Sequence, residues 1–338
     1  MNELHVVYTR LDLSDNYTPY MAASMKSVID NTSDIVHFHI ITNSSLIPKN
    51  PDKIPEVKEK LKTFVINEKC TIEFHHVYTH DNMRMNPAYL RLYLPEILPS
   101  IDIVVVLGGD VIVKTDLMKL INNIPNTYSL VAATDYGIID KYLSSKTVRK
   151  FYKHHKVDLA EYVCSDVLIY FLNNIRFNKK IPYEAIKLHN QYGNKIPLYE
   201  QDILNIVFNG DKYILPQRFN LPPVKIESNE YMEYISEKIN DVDIPGYIIH
   251  FEGDIKPWNQ YHSEFDREFW NYLFLTPWGT KDEIINLLMH RGQIDTFILD
   301  MDNKIWGLPL KKKIWCLWNL SIPLYLKLTQ KFIKTYKH

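Results

Sequence analysis

Apolar residues in the first part of the chain alternate between short continuous runs and longer runs with a helical period. The short runs predict buried β-strands at residues 4–9, 35–42, 71–77 and 103–107. The helical runs predict α-helices at residues 17–30, 51–64 and 87–98, the last of them beginning at a proline. This alternation predicts an α/β fold in which helices cover both faces of a mostly parallel central sheet.

The second part of the chain continues the pattern less regularly. Strands are predicted at residues 130–134, 166–172 and 247–251, and a helix at residues 198–208. Residues 145–157 form a basic stretch, which we interpret either as the solvated face of a helix or as a loop that covers a phosphate-bearing or lipid-linked substrate. Because ligands of such sheets bind beyond the carboxyl ends of the strands, we expect the chemistry just after Thr9 and Leu107.

The composition excludes several classes of protein. Of the 338 residues, 46% are hydrophobic and 23% are charged, which excludes general disorder. No apolar run reaches the ~18–20 residues that span a bilayer, and no glycine-rich dinucleotide fingerprint or P-loop occurs. The three cysteines are too scattered for a disulfide framework or a zinc knuckle. The first residues do not form a signal-peptide pattern, so we expect a cytoplasmic protein.

Residues 303–338 form a tail whose charge differs from that of the rest of the chain. They contain eight lysines and no acidic residue, whereas the whole chain has a formal net charge of −1. Aromatic residues are interleaved with these lysines, a pattern typical of segments that bind the lipid headgroup layer. We therefore expect the protein to be peripheral on the inner face of the cell membrane. A C-terminal helix packed on the body is one alternative; nucleic acid is the other, but no other segment favours it.

Two short segments place polar groups where predicted strands end. Asp110 follows the apolar run 103–107 and two glycines, and a buried carboxylate needs a partner such as a metal ion. A plain turn between two strands is the alternative there. His250, Gly253 and Lys256 follow another strand within one loop, where an imidazole suits a metal ion and an ammonium group suits a phosphate.

A third polar segment opens the predicted helix at residues 198–208. Glu200, Gln201 and Asp202 precede a run of apolar positions. Acidic groups in the first turn stabilise the helix dipole, and the same groups can also line a binding site at the start of the helix. Both interpretations remain open for this segment.

Further motifs follow one another between residues 4 and 260. They are Asp15-Asn16-Tyr17 with Pro19-Tyr20, Ala88-Tyr89-Leu90-Arg91-Leu92, Leu107-Gly108-Gly109-Asp110, Asp135, Glu200-Gln201-Asp202, Arg218-Phe219-Asn220 and His250-Phe251-x-Gly253-x-x-Lys256-Pro257-Trp258. In this order and spacing, the motifs resemble glycosyltransferase family 8, whose members are retaining enzymes with a GT-A fold that use UDP-sugars.

The resemblance implies a role for each matching residue. Asp110 and His250 would bind a divalent metal ion, Mn²⁺ or Mg²⁺, that grips the UDP diphosphate. Asp135, Glu200 and Gln201 would form the catalytic group, with Gln201 near the anomeric carbon, where oxygen atoms stabilise an oxocarbenium ion. The residues expected to bind the UDP-sugar itself are Thr9, Asp15, Asn16, Tyr17, Arg91, Gly253 and Lys256.

Three positions depart from the family pattern. Gly108 replaces the first aspartate of an Asp-x-Asp motif, Cys164-Ser165-Asp166 replaces Asn-Ala-Gly, and Glu200 stands where aspartate is usual. Loss of a carboxylate weakens a site for a hard cation. Three explanations remain open: the metal ion binds through Asp110, His250 and the diphosphate; Asp166 supplies the missing charge; or the chain is metal-independent or inactive.

The expected organisation and function follow from these motifs. Residues 1–262 would form the GT-A catalytic domain, residues 263–302 a helical extension and residues 303–338 the membrane-associating tail. We expect transfer of galactose or glucose from a UDP-sugar to a saccharide or lipid-linked acceptor of a capsule or lipopolysaccharide, with retention of the α configuration. A catalytically impaired partner subunit that binds nucleotide or glycan is the main alternative. A sugar nucleotidyltransferase is disfavoured because residues 9–17 contain no glycine.

Overall fold

The computed structural model describes residues 3–11, 13, 17–43, 48, 50–78, 86–135, 137–223, 242–259, 264–280 and 282–284. Strands in this part of the chain are β1 Glu3–Arg10, β2 Ile35–Asn43, β3 Thr71–Val77, β4 Ile103–Leu107, β5 Val111–Lys114, β6 Leu130–Thr134, β7 Val163–Phe171, β8 Lys212–Leu215 and β9 Tyr247–His250. The α-helices are α1 Thr18–Asn31, α2 Ile54–Asn67, α3 Leu94–Ile97, α4 Leu117–Asn122, α5 Gly137–Ser144, α6 Lys146–His155, α7 Leu172–Asn178, α8 Ala185–Tyr192, α9 Tyr199–Val207 and α10 Glu264–Leu273. The expectations for Asp15, Asn16 and residues 303–338 lie outside the described residues.

Seven strands form the central sheet in the order β3-β2-β1-β4-β7-β6-β8. β1 runs parallel to both β2 and β4, β2 runs parallel to β3, and β6 runs parallel to β8, whereas β7 runs antiparallel to both β4 and β6. The predicted α/β fold with a mostly parallel sheet is therefore confirmed. The reversed β7 matters for function, because its amino-terminal end meets the carboxyl end of β4.

Helices cover both faces of the sheet and produce two apolar layers. Successive residues of a strand point to opposite faces, so Val6 packs in the layer that contains Met21 of α1, and Val7 packs in the layer that contains Ile203 of α9. The continuous apolar runs of β1 and β4 reflect this two-sided burial, which is typical of parallel sheets with helices on both faces.

A two-stranded antiparallel ribbon of β5 and β9 lies beside the main sheet. Val111 pairs with His250 in this ribbon, which brings Asp110 next to the loop after β9. Helix α10, at the start of the predicted 263–302 extension, packs on α1, and Tyr272 Oη lies 2.9 Å from Asn31 Nδ2. Among the described residues, no helix is both long and apolar enough to cross a membrane.

Two sequence predictions are corrected or decided by the structure. Residues 87–98 do not form one α-helix: Pro87–Tyr93 is a 3₁₀ helix, and α3 begins only at Leu94. Pro95 has no N–H to donate to the carbonyl four residues earlier, so a continuous α-helix cannot form across this position. The basic stretch 145–157 contains helix α6, capped by Ser145, so the helix interpretation is confirmed and the covering loop is wrong.

Candidate active site

A cleft of about 380 Å³ opens at the carboxyl end of β4. Its walls come from the start of β7, the first turn of α9 and the loop that follows β9. This volume lies in the range of small-molecule sites. Seven of the residues to which the family resemblance assigns a role line the cleft: Asp110, Asp135, Glu200, Gln201, His250, Gly253 and Lys256.

The other described candidates lie beside or behind this lining. Tyr17 packs against Gly109 and against the ring of Trp258, and burial raises the pKa of its hydroxyl well above the usual value. Arg91 is only 4% exposed and lies behind the wall of the cleft. Thr9, near the end of β1, is half-buried and does not belong to the lining residues.

Lys256 and Asp110 form an ion pair across the floor of the cleft. Lys256 Nζ donates to Asp110 Oδ2 at 2.5 Å and also to the carbonyl oxygen of Phe251. Asp110 is 8% exposed, so the Lys256 charge compensates a carboxylate with little access to water. The β5–β9 pairing produces this contact, because it fixes the strand after Asp110 against the strand before Lys256.

The hydrogen bonds of Asn220 determine the orientation of the His250 ring. Asn220 Nδ2 donates to the carbonyl oxygen of Thr134 at 3.2 Å, so its Oδ1 is the atom that faces His250 Nδ1 at 2.9 Å. That oxygen is an acceptor, and Nδ1 of His250 therefore carries the proton in the neutral ring. The lone pair of Nε2 then faces the carboxylates of Asp110 and Asp166, at 3.9 Å and 3.6 Å.

Asp166 enters the cleft from the start of β7. Leu107 pairs with Val167, and the Gly108 N–H donates to the carbonyl oxygen of Asp166 at 2.8 Å, so the reversed strand places Asp166 beside Gly108. Arg91 Nη2 donates to Asp166 Oδ1 at 2.9 Å. Burial alone would raise the pKa of Asp166, but Arg91, with smaller contributions from His250 and Lys256, lowers it to about 2.

Glu200 is held at the first turn of α9 by Arg91 and Ser165. Ser165 Oγ donates to Glu200 Oε1 at 2.9 Å, and Arg91 Nη1 lies 3.5 Å from the same oxygen. Burial raises the pKa of Glu200, while Arg91 opposes the shift. Arg91 thus binds two carboxylates, Glu200 and Asp166, and fixes their separation.

The side-chain amide of Gln201 is fixed at both ends. Its Nε2 donates to Asp135 Oδ2 at 2.7 Å, and its Oε1 accepts from the Ser165 N–H at 3.0 Å. The Gly137 N–H donates to Asp135 Oδ1 at 2.8 Å, and burial together with nearby Glu252 raises the pKa of Asp135. These contacts give the amide oxygen of Gln201 a single orientation in the cleft wall.

Asp202, next in sequence, has a structural environment. Its Oδ1 accepts hydrogen bonds at 2.7 Å from the hydroxyls of Tyr152 and Tyr162, and its Oδ2 accepts from the Leu198 N–H at 2.8 Å. The residue is fully buried and therefore stabilises the start of α9 rather than facing the cleft. Of the two roles left open for this segment, stabilisation of the helix start fits Asp202, and lining of a binding site fits Glu200 and Gln201.

Sequence reasoning named no role for several residues that shape this cleft. Ser165 orients both Glu200 and Gln201, Asn220 orients His250, and Glu252 lies in the cleft lining. Asn220 stands within the motif Arg218-Phe219-Asn220, so the sequence marked this residue but did not indicate that it would contact His250. The sequence marked Ser165 only as part of the segment that departs from the expected Asn-Ala-Gly.

The fold resembles solved structures of glycosyltransferases. The galactosyltransferase LgtC, solved in complex with donor and acceptor sugar analogues, aligns with a TM-score of 0.60 and 21% identity, over 81% of this chain and 96% of LgtC. The bifunctional glycosyltransferase WbbM in its apo form aligns with a TM-score of 0.61 and 19% identity, over 85% of this chain and 51% of WbbM. This chain therefore spans about half the length of WbbM. Together, these similarities show the GT-A fold of glycosyltransferases.

Sequence comparison identifies the family. A protein of Haemophilus influenzae (strain KW20/Rd) named "Putative glycosyltransferase" is 25% identical over 260 residues, which cover 76% of this chain and 74% of the relative. The sequence profile of Glycosyl transferase family 8 matches residues 9–262. The chain belongs to glycosyltransferase family 8 and is a glycosyltransferase.

Proposed function

We propose that this chain transfers a hexose, galactose or glucose, from a UDP-sugar to a saccharide or lipid-linked acceptor with retention of the α configuration. The observation that carries the proposal is a single cleft that brings carboxylates, an imidazole and an ammonium group to the end of β4 in a family 8 chain. The related fold of LgtC holds donor and acceptor sugar analogues, which supports a nucleotide sugar as the ligand class here.

The cleft residues fit a divalent metal ion. The Nε2 lone pair of His250 faces the carboxylates of Asp110 and Asp166, and two carboxylates with one imidazole form a donor set that suits Mn²⁺ or Mg²⁺. Asn220 orients the imidazole from behind, as outer partners of metal-binding histidines do. When bound, such an ion supplies positive charge that stabilises the departing UDP.

Cys164 lies near this donor set but is a poor ligand. Its Sγ is 3.5 Å from His250 Nδ1, and it belongs with Asp166 and His250 to a cluster that could hold a metal ion. Only the thiolate is an effective ligand. Burial raises the pKa of Cys164 well above its usual value, and its Sγ lies beside Nδ1 of His250, whereas the carboxylates of Asp110 and Asp166 face Nε2. We therefore assign the site to Asp110, Asp166 and His250.

Lys256 and Gly253 bind the diphosphate in this proposal. Lys256 already lies in the cleft with its ammonium group on Asp110, where it can also neutralise phosphate oxygens. Gly253 has a φ of +69°, which glycine adopts without strain, and it lies in the lining of the cleft. Arg91 acts from behind the wall, because it holds the Asp166 and Glu200 carboxylates apart.

Transfer breaks the bond between the anomeric carbon and the diphosphate oxygen, and the electron pair leaves with UDP. A bond then forms between the anomeric carbon and the acceptor hydroxyl oxygen on the same face of the sugar, and the hydroxyl proton passes to the departing diphosphate oxygen. The fixed amide oxygen of Gln201 stabilises the positive charge that develops on the sugar ring. Asp135 and Glu200 bind sugar hydroxyls and hold the ring in register with Gln201.

The tail extends the proposal to a membrane surface. Its eight lysines and interleaved aromatic residues suit anionic lipid. Binding at the inner face of the membrane would raise the effective concentration of a lipid-linked acceptor of a capsule or lipopolysaccharide.

The direct test measures UDP release by the purified chain from UDP-galactose and UDP-glucose, with and without saccharide acceptors. We expect one donor to be used well above the other, with product in the α configuration by NMR. UDP binding without release from any UDP-hexose would instead support the impaired partner subunit, which the replacement of the first motif aspartate by Gly108 favours.

A further inference from the structure

Three histidine rings form a hydrogen-bonded row across the edge of the central sheet. His5 of β1 and His39 of β2 join through Nδ1 and Nε2 at 3.0 Å, and His39 Nδ1 lies 3.0 Å from Nε2 of His75 on β3. The pairings Val7 with His39 and Ile41 with His75 place all three rings on one face of the sheet. None of the three lines the proposed active-site cleft.

Glu73 of β3 completes a group of three ligand atoms around one point. Its Oε2 lies 3.8 Å from His39 Nδ1 and 3.6 Å from His75 Nε2, and the two nitrogens are 3.0 Å apart. Ligands bound tetrahedrally at ~2.0–2.1 Å from a zinc ion are about 3.4 Å from one another. The observed separations bracket that value, so small side-chain movements produce a tetrahedral arrangement.

We propose that His39, Glu73 and His75 form a second metal site, specific for a borderline divalent transition-metal ion such as Zn²⁺. When the ion binds, both nitrogens must offer lone pairs, so the proton shared between His39 Nδ1 and His75 Nε2 moves, by exchange with solvent, to the other nitrogen of the ring that held it. Three protein ligands leave the fourth position to water. This site is separate from the glycosyltransferase proposal and does not depend on it.

The surroundings of the three ligands support an ion at this position. His39 is 4% exposed, and its Nε2 is held by His5, whose own Nε2 lies 4.0 Å from Glu3 Oε2. Such outer partners orient a ligating imidazole and raise its basicity. The Glu73 side chain is 67% exposed, so an ion reaches the site from solvent without opening of the fold.

A metal ion at this site would join β3 to β2. β3 is an outer strand of the central sheet, and an outer strand presents unpaired backbone groups on one side. Ligands from both strands would fix their register and stabilise this edge. The expected role is therefore structural, with an accessible water position on the metal ion.

The test is calorimetric titration of Zn²⁺ into the untagged, metal-depleted full chain. We expect the Glu73→Gln/His75→Gln variant to bind one equivalent of Zn²⁺ fewer than the wild type, whatever the active-site cleft binds in both. His76→Gln is the matched control, because His76 points to the opposite face and contacts Thr42. His5→Gln should keep the site but weaken Zn²⁺ binding about 10–100-fold.

Thermal unfolding provides a second readout that does not depend on counting ions. Zn²⁺ should raise the Tm of the wild type and of His76→Gln, and should raise it less in the single variant Glu73→Gln, whose exposed side chain leaves folding intact. Equal Zn²⁺ stoichiometry, affinity and Tm shift in the wild type and the Glu73 and His75 variants would overturn the proposal.

Discussion

Asp166 occupies the space next to Gly108 that a side chain on Gly108 would need. An ideal Cβ on Gly108 would lie 3.0 Å from Asp166 Oδ1 and 2.6 Å from Asp110 Oδ1. The resemblance to family 8 led us to expect a carboxylate at the position of Gly108, and this chain carries one on the neighbouring strand instead. We infer that the two departures from the family pattern compensate one another.

The compensation predicts the effect of removing the Asp166 carboxylate. Asp166→Asn should weaken Mn²⁺ binding at least ~10-fold, because a carboxylate ligand becomes a neutral amide. Electron paramagnetic resonance of unbound Mn²⁺ measures this directly in the presence of UDP. Asp254→Asn, an exposed carboxylate in the loop after β9, is the matched control and should leave Mn²⁺ affinity unchanged.

A reciprocal exchange separates lost charge from damaged structure. Gly108→Asp alone should destabilise the fold, since its side chain meets Asp110 and Asp166. Gly108→Asp combined with Asp166→Gly should recover Mn²⁺ affinity relative to Asp166→Gly alone, which is the signature of coupled sites in a double-mutant cycle. Strictly additive losses in the two single variants and the double variant would argue against compensation.

Much of the fold was predictable because its strands are buried on both faces. The apolar runs at 103–107 and 130–134 match β4 and β6 without change. Strand β8 was missed because it spans only Lys212–Leu215, and a run of four residues with a terminal lysine carries little pattern. The antiparallel direction of β7 cannot be read from local periodicity, which is the same for both directions.

The site could be predicted only in part, because local sequence patterns do not show which distant segments lie side by side. The resemblance to family 8 implied that Asp110, Gln201 and His250 share one site. The sequence left open whether Asp166 supplies the missing carboxylate charge, because the position of Asp166 depends on the pairing of Leu107 with Val167. The hydrogen bonds of Ser165 and Asn220 likewise join segments that are distant in sequence.

Gln201 provides a test of the catalytic assignment. Gln201→Ala removes the fixed amide oxygen and should lower kcat about 100-fold, while KM for the UDP-sugar changes little, because the interaction forms mainly in the transition state. Initial-rate kinetics across donor concentrations measures both constants. Gln191→Ala, on the exposed surface of α8, should behave as the wild type. A large rise in KM with unchanged kcat would assign Gln201 to donor binding instead.

Lys212 predicts a dependence of stability on pH that is independent of the active site. Lys212 is 8% exposed, its Nζ donates to Asn205 Oδ1, and burial lowers its pKa from 10.5 to about 8, although Glu161 and Asp158 oppose this shift. Between pH 8 and 10.5, the unfolded chain holds more protons than the folded chain, so this residue makes stability rise with pH in that range.

Lys212→Met removes the cost of burying that charge. The variant should be more stable than the wild type at pH 7, by about 1–3 kcal/mol in the free energy of unfolding, and the difference should shrink as the pH rises from 8 towards 10. Urea unfolding at several pH values measures the difference. Lys187→Met, an exposed lysine on α8, serves as the control. A difference that is constant across this pH range would contradict the lowered pKa.

The tail can be tested by truncation. Removal of residues 303–338 should reduce binding to liposomes that contain anionic lipid, because eight lysines and the interleaved aromatic residues are lost. Cosedimentation measures the bound fraction, and UDP binding by the truncated chain controls for folding. Undiminished liposome binding by the truncated chain would exclude the tail as the membrane anchor.

The most direct test of the central claim is calorimetric titration of UDP into the wild-type chain, first with Mn²⁺ and then with EDTA. The assignment of Asp110, Asp166 and His250 as metal ligands predicts that UDP binds with Mn²⁺ and that EDTA abolishes or greatly weakens binding. Equal UDP affinity in Mn²⁺ and EDTA would contradict the metal site and leave the diphosphate to Lys256 and the loop of Gly253. No UDP binding in either condition would contradict the proposed UDP-sugar donor.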